Sequence, residues 1–358
     1  MLLPYGVDDD GHVVVAWADR VVDLHLAEGL DVDRAVFATG RLNDFMALGP
    51  DAWAATRRQL TGGIASQPAA ALRPAATVRL VLPWEVGDYA DFYASRPHVE
   101  AMGRALRPGD DPLPPAWLHL PMGYHGRSGT VVVSGEPVYR PSGFRPGPGG
   151  PAYGPTDRLD AEAELGFVIG TGVPRGRTVD AVEAEHHIFG MVLVNDWSAR
   201  DIQAFESRPL GPFLGKSFAT SVSPWVVPMA ALDRYRVAGP VQDPPVAGHL
   251  QAVERRNIDV RMTLSVDGKV VSRPAAGDLY WSPAQQLAHL TANGAGVRSG
   301  DLFATGTISG PGPGPDQAGS LMEAWGGTRW LEDGAVVSIT GWCGDHTVGT
   351  VSAEVVGR

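Results

Sequence analysis

Apolar positions along this chain come in short runs, repeatedly interrupted by glycine and proline. Residues 12–26 (HVVVAWADRVVDLHL) read as two short strands, and residues 31–61 as helical pieces ending near Gly62 and Gly63. The segment QPAAALRPAAT (67–77) reads as a linker, and TVRLVLP then begins a longer β-rich region. A boundary is expected near residue 82, giving a small N-terminal unit with its linker over 1–82 and a larger domain over 83–358. Candidate strands of the larger domain fall at 129–135, 159–170, 190–196, 223–228, 258–274, 301–306 and 335–355. Val266-Asp267-Gly268-Lys269 marks a hairpin with a two-residue turn. Over 282–294 (SPAQQLAHLTANG) local rules predict a helix: Ser282 is the N-cap, Pro283 opens the first turn, Gln285 completes a capping box and Gly294 ends it. The pattern predicts a mainly β, α+β architecture carrying a few helices.

Composition narrows the function classes. At 358 residues, one large domain with a smaller companion is expected. Lys and Arg number 29 against 40 Asp and Glu, a net charge of −11. No broad basic surface is then available, so neither nucleic acid nor an anionic membrane is an expected partner. An acidic substrate would need a local cluster of Arg, Lys or metal inside a pocket. MLLPYGVDDDGH lacks the basic start and apolar run of a signal peptide, no apolar stretch approaches a membrane span, and Cys343 stands alone, so a cytoplasmic protein is expected. Cys343 in its apolar stretch reads as a small buried filler. Lysine occurs only at 216 and 269; Lys269 follows a turn, whereas Lys216 sits in an apolar, Gly-bounded segment where an unpaired ammonium is costly to bury.

Two phosphate motifs fail: Gly211-Pro-Phe-Leu-Gly215-Lys216-Ser217 is one residue short of a P-loop, and no Gly-x-Gly-x-x-Gly opens a helix after a strand. In Gly306-Thr-Ile-Ser-Gly310 the serine is one position late for a nucleophile elbow. Acidic residues are more informative. Glu162 and Glu164 lie two apart in the strand-like LDAEAELGFVIG, on one face, and Asp196 closes the apolar run GMVLVND. Three carboxylates from two strands suit a hard cation such as Mg²⁺ or Ca²⁺; a solvated strand face explains the two glutamates as well. Asp91, in DYADFYASRPH, is either a fourth ligand or a helix-surface acid. In WSARDIQAFES, Arg200 and Gln203 are three apart on one side of a short helix. Lys216 either pairs with a carboxylate or holds an anionic substrate oxygen. His98 is accompanied by Tyr93, Arg96 and Arg107, whereas His186 and His187 read as helix or core histidines. GPGPGPDQAG reads as a loop that could serve as a flap.

These segments resemble the fumarylacetoacetate hydrolase family. The resemblance is carried by DFYASRPH (91–98), PAWLHLPMGYHGRSG (115–129), LDAEAELGF (159–167), HIFGMVLVNDWSARDIQAFE (187–206), PLGPFLGKSFATSVSPWVVPM (209–229), GDLFATGTISG (300–310) and GSLMEAWGG (319–327), and covers residues 83–345. It implies a β-roll large domain, a small SH3-like N-terminal barrel and a homodimer. It implies that Asp91, Glu162, Glu164 and Asp196 bind Mg²⁺ or Ca²⁺, with Lys216 and Thr220 near a second Mg²⁺ or Na⁺ region. The implied reaction on a dicarboxylic β-diketone is hydrolysis of 4-fumarylacetoacetate to fumarate and acetoacetate, the last step of tyrosine and phenylalanine breakdown. His98, oriented by Glu323, matches the general base. Arg200, Gln203 and Lys216 match the groups that stabilise developing charge, and Tyr93, Arg107, Tyr124 and Thr307, with Arg200 and Gln203, those that contact substrate. One departure stands out: where the family has a substrate-contacting tyrosine after the ARDIQAFE segment, this chain has Ser207. Related β-diketone and acylpyruvate hydrolases of the superfamily share the carboxylates but generally lack the N-terminal domain and the His98 segment. A non-catalytic binding or scaffold protein on the same fold would be expected to have lost the His98–Glu323 pair.

Overall fold

Short β-branched runs at the N-terminus build an antiparallel meander. The computed structural model describes residues 1–106, 109, 111–312 and 314–357. Within it β1 (Tyr5–Asp8), β2 (Val13–Trp17) and β3 (Arg20–Asp23) pair in succession, as expected for residues 12–26, while β4 (Leu72–Pro74) adds beside β3 and β5 (Leu80–Val81) beside β1. The linker reading of 67–77 is therefore corrected, since β4 belongs to the sheet. Arg73 on β4 forms an ion pair with Asp8, whose carboxylate is fully buried. A three-residue strand ending in proline leaves no alternation to read, which is why the sequence hid it. Helical pieces follow at Arg34–Phe37, Asn43–Met46 and α1 (Pro50–Gly63), with Pro50 in the first turn where its missing N–H costs nothing.

The large sheet runs β7-β6-β12-β9-β10-β11-β8, built from β6 (Tyr89–Phe92), β7 (Gly123–His125), β8 (Val131–Val133), β9 (Ala163–Ile169), β10 (Ile188–Asp196), β11 (Thr220–Val222) and β12 (Leu302–Ala304). Every position of β9 and β10 is buried. Both faces are covered, so these strands read as continuous apolar runs instead of alternating ones. One face meets the N-terminal unit: Phe189 of β10 packs 5.5 Å from Tyr5, 5.9 Å from Phe45 and 5.2 Å from Trp53, ring centre to ring centre. Backbone bonds between Tyr5 and Val226 join the two units directly (2.8 and 2.7 Å).

On its other side β10 packs against a five-stranded sheet ordered Lys269–Ser272, Arg261–Val266, Val336–Cys343, His346–Val356, Val138–Tyr139. The Asp267-Gly268 turn has φ of 51° and 73°, the left-handed pair a type I′ hairpin requires. The helices of the large domain include α2 (Arg96–Leu106), α3 (Arg200–Glu206), α4 (Pro283–Thr291) and α5 (Leu321–Ala324). The capping box of α4 forms as its sequence demands, with Ser282 and Gln285 bonded reciprocally. The β-rich, mixed architecture expected from the pattern is thus the one observed.

Candidate functional site

Three strand ends converge on one point. Asp91 on β6 pairs with Ala304 of β12 and Tyr124 of β7, Glu164 on β9 pairs with Val194 of β10, and Asp196 closes β10 opposite Thr220 of β11. Asp91 is accordingly a buried strand residue and not a helix-surface acid. The carboxylates of Asp91, Glu164 and Asp196 are at most 2% exposed, with ligand oxygens all within 4.8 Å of one another. Asp91 Oδ1, Asp196 Oδ1 and both oxygens of Glu164 lack any hydrogen-bond donor among the described residues. Orphaned buried carboxylate oxygens are costly, and a hard divalent cation with oxygen ligands is what such a set fits. With no cation bound, burial pushes Asp91 and Glu164 well above the usual carboxylate range, aided by repulsion from Asp196 and Asp91 respectively, and raises Asp196 as well.

Glu162 lies outside that group of three. Regular β9 begins only at Ala163; Glu162 precedes it, bridged through its backbone to Ser320. Its Oε1 accepts from Arg200 Nη2 (2.5 Å) and its Oε2 from Lys216 Nζ, which also donates to Asp196 Oδ2 (2.5 Å). Burial alone would raise Glu162, but Arg200 and Lys216 outweigh it and hold the carboxylate below its ordinary range. For Lys216, buried at 7% exposure, desolvation is likewise overcome by Asp196 and Glu162, and its pKa is raised. The Lys216 side chain thus acts as a cation bridging two carboxylates. Gly215 precedes it because a Cβ there would lie 2.7 Å from the Gln203 amide nitrogen. Thr220 is buried in β11 directly across from Asp196.

Arg200 and Gln203 share a side of α3 as their spacing implies, Arg200 Nη1 donating to Gln203 Oε1 at 3.2 Å. Arg200 is further fixed by Asp160, two residues before Glu162 in the same alternating run: Arg200 Nε donates to Asp160 Oδ2 (2.8 Å), while Asp160 Oδ1 accepts from the Ala161 and Met322 amides (2.8 and 3.0 Å). Ser207 ends α3 and turns its hydroxyl back to the Gln203 carbonyl. Tyr124 donates its hydroxyl to Asp196 Oδ2 (3.1 Å).

His98, 2% exposed on α2, places Nδ1 2.8 Å from Glu323 Oε2. The Tyr93 ring stands edge-on to it at 5.4 Å. Burial would raise Glu323, but His98, then the hydroxyls of Ser320 and Ser309, outweigh it and keep the carboxylate below its usual range. Ser309 lies in a Gly-rich loop where no spacing marks it as a partner of Glu323, whereas Ser320 precedes Glu323 by three residues, the spacing of a helix N-cap. Thr307, 3% exposed, follows the turn at Gly306, where φ is +74° and a Cβ would lie 2.0 Å from the Phe92 carbonyl oxygen. Arg107 lies outside the described residues. A cleft of about 1180 Å³ abuts Glu323 and Ser309, with Gly310 and Gln317 of the Gly/Pro-rich loop on its wall.

Away from this centre, Asp8, His12 and Asp23 also gather, with His12 Nδ1 2.7 Å from Asp23, and there Arg73 pairs with Asp8 and approaches Asp23 at 3.8 Å. Cys343 is buried in its strand, its thiol pushed up to about 12 by desolvation, in keeping with a filler.

Residues 88–356 match the family model described as "Fumarylacetoacetate (FAA) hydrolase C-terminal", and residues 2–83 the one described as "Fumarylacetoacetase N-terminal". Fumarylacetoacetase of Homo sapiens is 42% identical, over 95% of this chain and 91% of that protein. That of Arabidopsis thaliana is 38% identical, over 95% and 90%. Among solved structures, a fumarylacetoacetate hydrolase from psychrophilic Exiguobacterium antarcticum is similar in fold, with a TM-score of 0.64 at 18% identity over 99% of each chain.

Proposed function

The chain belongs to the fumarylacetoacetate hydrolase family, and we propose how its own buried groups divide the labour of that family's reaction. The reaction is hydrolysis of the carbon–carbon bond of 4-fumarylacetoacetate to fumarate and acetoacetate, in tyrosine catabolism. The observation that carries the reading is the 2.8 Å His98–Glu323 pair close to a buried carboxylate cluster with orphaned oxygens. With Nδ1 bonded to Glu323, His98 keeps Nε2 to take a proton from water. The water oxygen adds to the carbonyl carbon; the bond to the acetoacetate carbon then breaks, its electron pair leaving as an enolate that is reprotonated. Arg200, Lys216 and Gln203 supply fixed positive charge and donors for that enolate, at no reorganisation cost because Asp160, Glu162 and Asp196 hold them beforehand.

Asp91, Glu164 and Asp196, with Glu162 beside them, would hold the metal, and Mg²⁺ or Ca²⁺ is proposed because every available donor is a carboxylate oxygen. When bound, such a cation supplies a Lewis acid for the diketone oxygens. Tyr93, Tyr124 and Thr307 are proposed to contact the substrate. The division near residue 82 is supported by the two family models meeting there. A homodimer is proposed, supported by exposed apolar side chains on and after α3 (Phe205, Leu210, Phe213, Leu214), next to a hairpin bearing Phe144 and Tyr153. No helix among the described residues is long and apolar enough to cross a membrane; a cytoplasmic location is proposed, supported by a single unpaired cysteine.

The test is turnover of fumarylacetoacetate by purified protein and by His98→Ala. Loss of fumarate formation in the variant, with metal binding intact, is expected. Near wild-type turnover by His98→Ala would remove His98 as the base.

A further inference from the structure

A carboxylate that orients a histidine must itself be held in one plane, because its terminal torsion is broad and roughly two-fold. The two oxygens of Glu323 are held unequally. Oε2 accepts from His98 Nδ1 (2.8 Å), Ser320 Oγ (2.9 Å) and Ser309 Oγ (3.0 Å). Oε1 accepts, among the described residues, from Ser309 Oγ alone (3.0 Å).

Ser309 has little freedom to do anything else. Its Oγ accepts from the Gly319 amide (3.0 Å), and a hydroxyl carries a single proton, so that proton is directed to the carboxylate and shared between its oxygens. The backbone of Ser309 is fixed from the other side: its amide donates to Ser95 Oγ (3.2 Å), which donates to the Ser309 carbonyl (2.9 Å). Ser95 in turn accepts at its carbonyl from the Val99 amide (3.0 Å), in the first turn of the helix that carries His98. Ser309 thereby ties the loop after β12, the base-bearing helix α2 and Glu323 into one hydrogen-bonded unit. Ser320 has a different duty as well, since it is the N-cap of α5 and accepts from the Glu323 amide (3.2 Å).

We propose that Ser309 is a positioning residue of the reaction: its hydroxyl, straddling both oxygens of Glu323, sets the carboxylate plane that aims Oε2 at His98 Nδ1. The inference rests on His98 being the general base. Losing the hydroxyl lets the carboxylate rotate about its last torsion, so the imidazole spends less time in the productive orientation while substrate contacts stay as they are.

The experiment compares two isosteric replacements in the full-length protein, Ser309→Thr, which keeps a hydroxyl, and Ser309→Val, which removes it. Hydrogen bonds to charged groups are worth enough to expect a loss on the order of 10-fold or more in kcat for Ser309→Val relative to Ser309→Thr, with KM within about two-fold. The same pair made in a Glu323→Gln background should differ little in kcat, because the group being positioned has already been altered. Equal kcat for the Thr and Val variants overturns the proposal, as does a gap that persists undiminished in the Glu323→Gln background. Thermal unfolding of all variants separates loss of fold from loss of positioning: Val also leaves the Gly319 amide without its acceptor, so a kcat gap between the Thr and Val variants that vanishes once rates are corrected for the folded fraction overturns the proposal. His98→Ala retaining turnover would instead sink the underlying assignment of the base, a separate outcome.

Discussion

Lys216 and Lys269 carry the same charge in opposite settings. The ammonium of Lys216 is buried between Glu162 and Asp196, whereas Lys269 is exposed just after the 267–268 turn. Arginine retains charge but brings a planar, wider fork with different donor directions, so Lys216→Arg is expected to lower turnover by about 10²–10³, the usual effect of losing one preorganised donor. Lys269→Arg should be silent. Steady-state kinetics on both variants checks this, and equal behaviour would make Lys216 purely structural. The raised carboxylates give a pH prediction. Asp91, Glu164 and Asp196 hold protons more tightly folded than unfolded, where such groups titrate near 4. Their contribution to metal-free stability is therefore present at low pH and lost as pH rises through the folded values. A bound divalent cation must displace those protons, so its stabilisation should be larger at pH 8 than at pH 5. Melting temperatures with chelator and with Mg²⁺ or Ca²⁺ at both pH values measure the difference; an equal gain at both would contradict the protonated cluster. At this scale the carboxylates were legible because acids ending or interrupting apolar runs stand out. Asp160 and Ser309 were not, because their partners Arg200 and Glu323 lie far along the chain; Ser320, by contrast, sits three residues before Glu323, at the spacing of a helix N-cap.

Legibility among the elements followed how local their causes are. Helix α4 could be read because its start is fixed by three residues within four positions, Ser282, Pro283 and Gln285; the hairpin at 267–268 was equally self-contained. Strand β4 was not readable, for its stability comes from pairing with β3, some fifty residues earlier, and from the Arg73–Asp8 ion pair. Strand β1, four residues running into acids, was missed for the same reason. Strand β10 could be recognised as buried, but not what would bury it. Phe189 answers that: its ring touches Tyr5, Phe45 and Trp53, all from the N-terminal unit, at 2% exposure. Phe189→Ala should cost about 3–5 kcal/mol in unfolding free energy, as expected for a large buried aromatic whose surroundings relax only partly. Denaturant unfolding measures it, and a loss under about 1 kcal/mol would show that the ring is not the keystone of that contact.

At the scale of the molecule, the same contact decides whether the two units are separable. The apolar cluster of the N-terminal sheet includes Val168 of β9, Phe189, Val192 and Val194 of β10, Val222 of β11 and Leu302 of β12, so one core spans the division near residue 82. The same face of the large sheet carries, further along its strands, Glu164 and Asp196, which share the alternation of Val168 and of Val192 and Val194. Removing residues 1–82 would expose a contiguous apolar surface of the kind that drives association, and would also delete the Tyr5–Val226 backbone pairing. The fragment 83–358, although it contains every candidate site residue, is therefore expected to be recovered mainly as aggregate, or to bind a hydrophobic dye strongly and melt at a lower temperature than the full chain. Adding the separately produced N-terminal unit should restore little, since that unit would lack the other half of its core. Expression of the fragment with light scattering and dye binding tests this. A monodisperse fragment with full-length melting behaviour and undiminished turnover would show that the N-terminal unit is an accessory to a self-sufficient catalytic domain, and that the shared core contributes far less than its buried aromatic cluster implies.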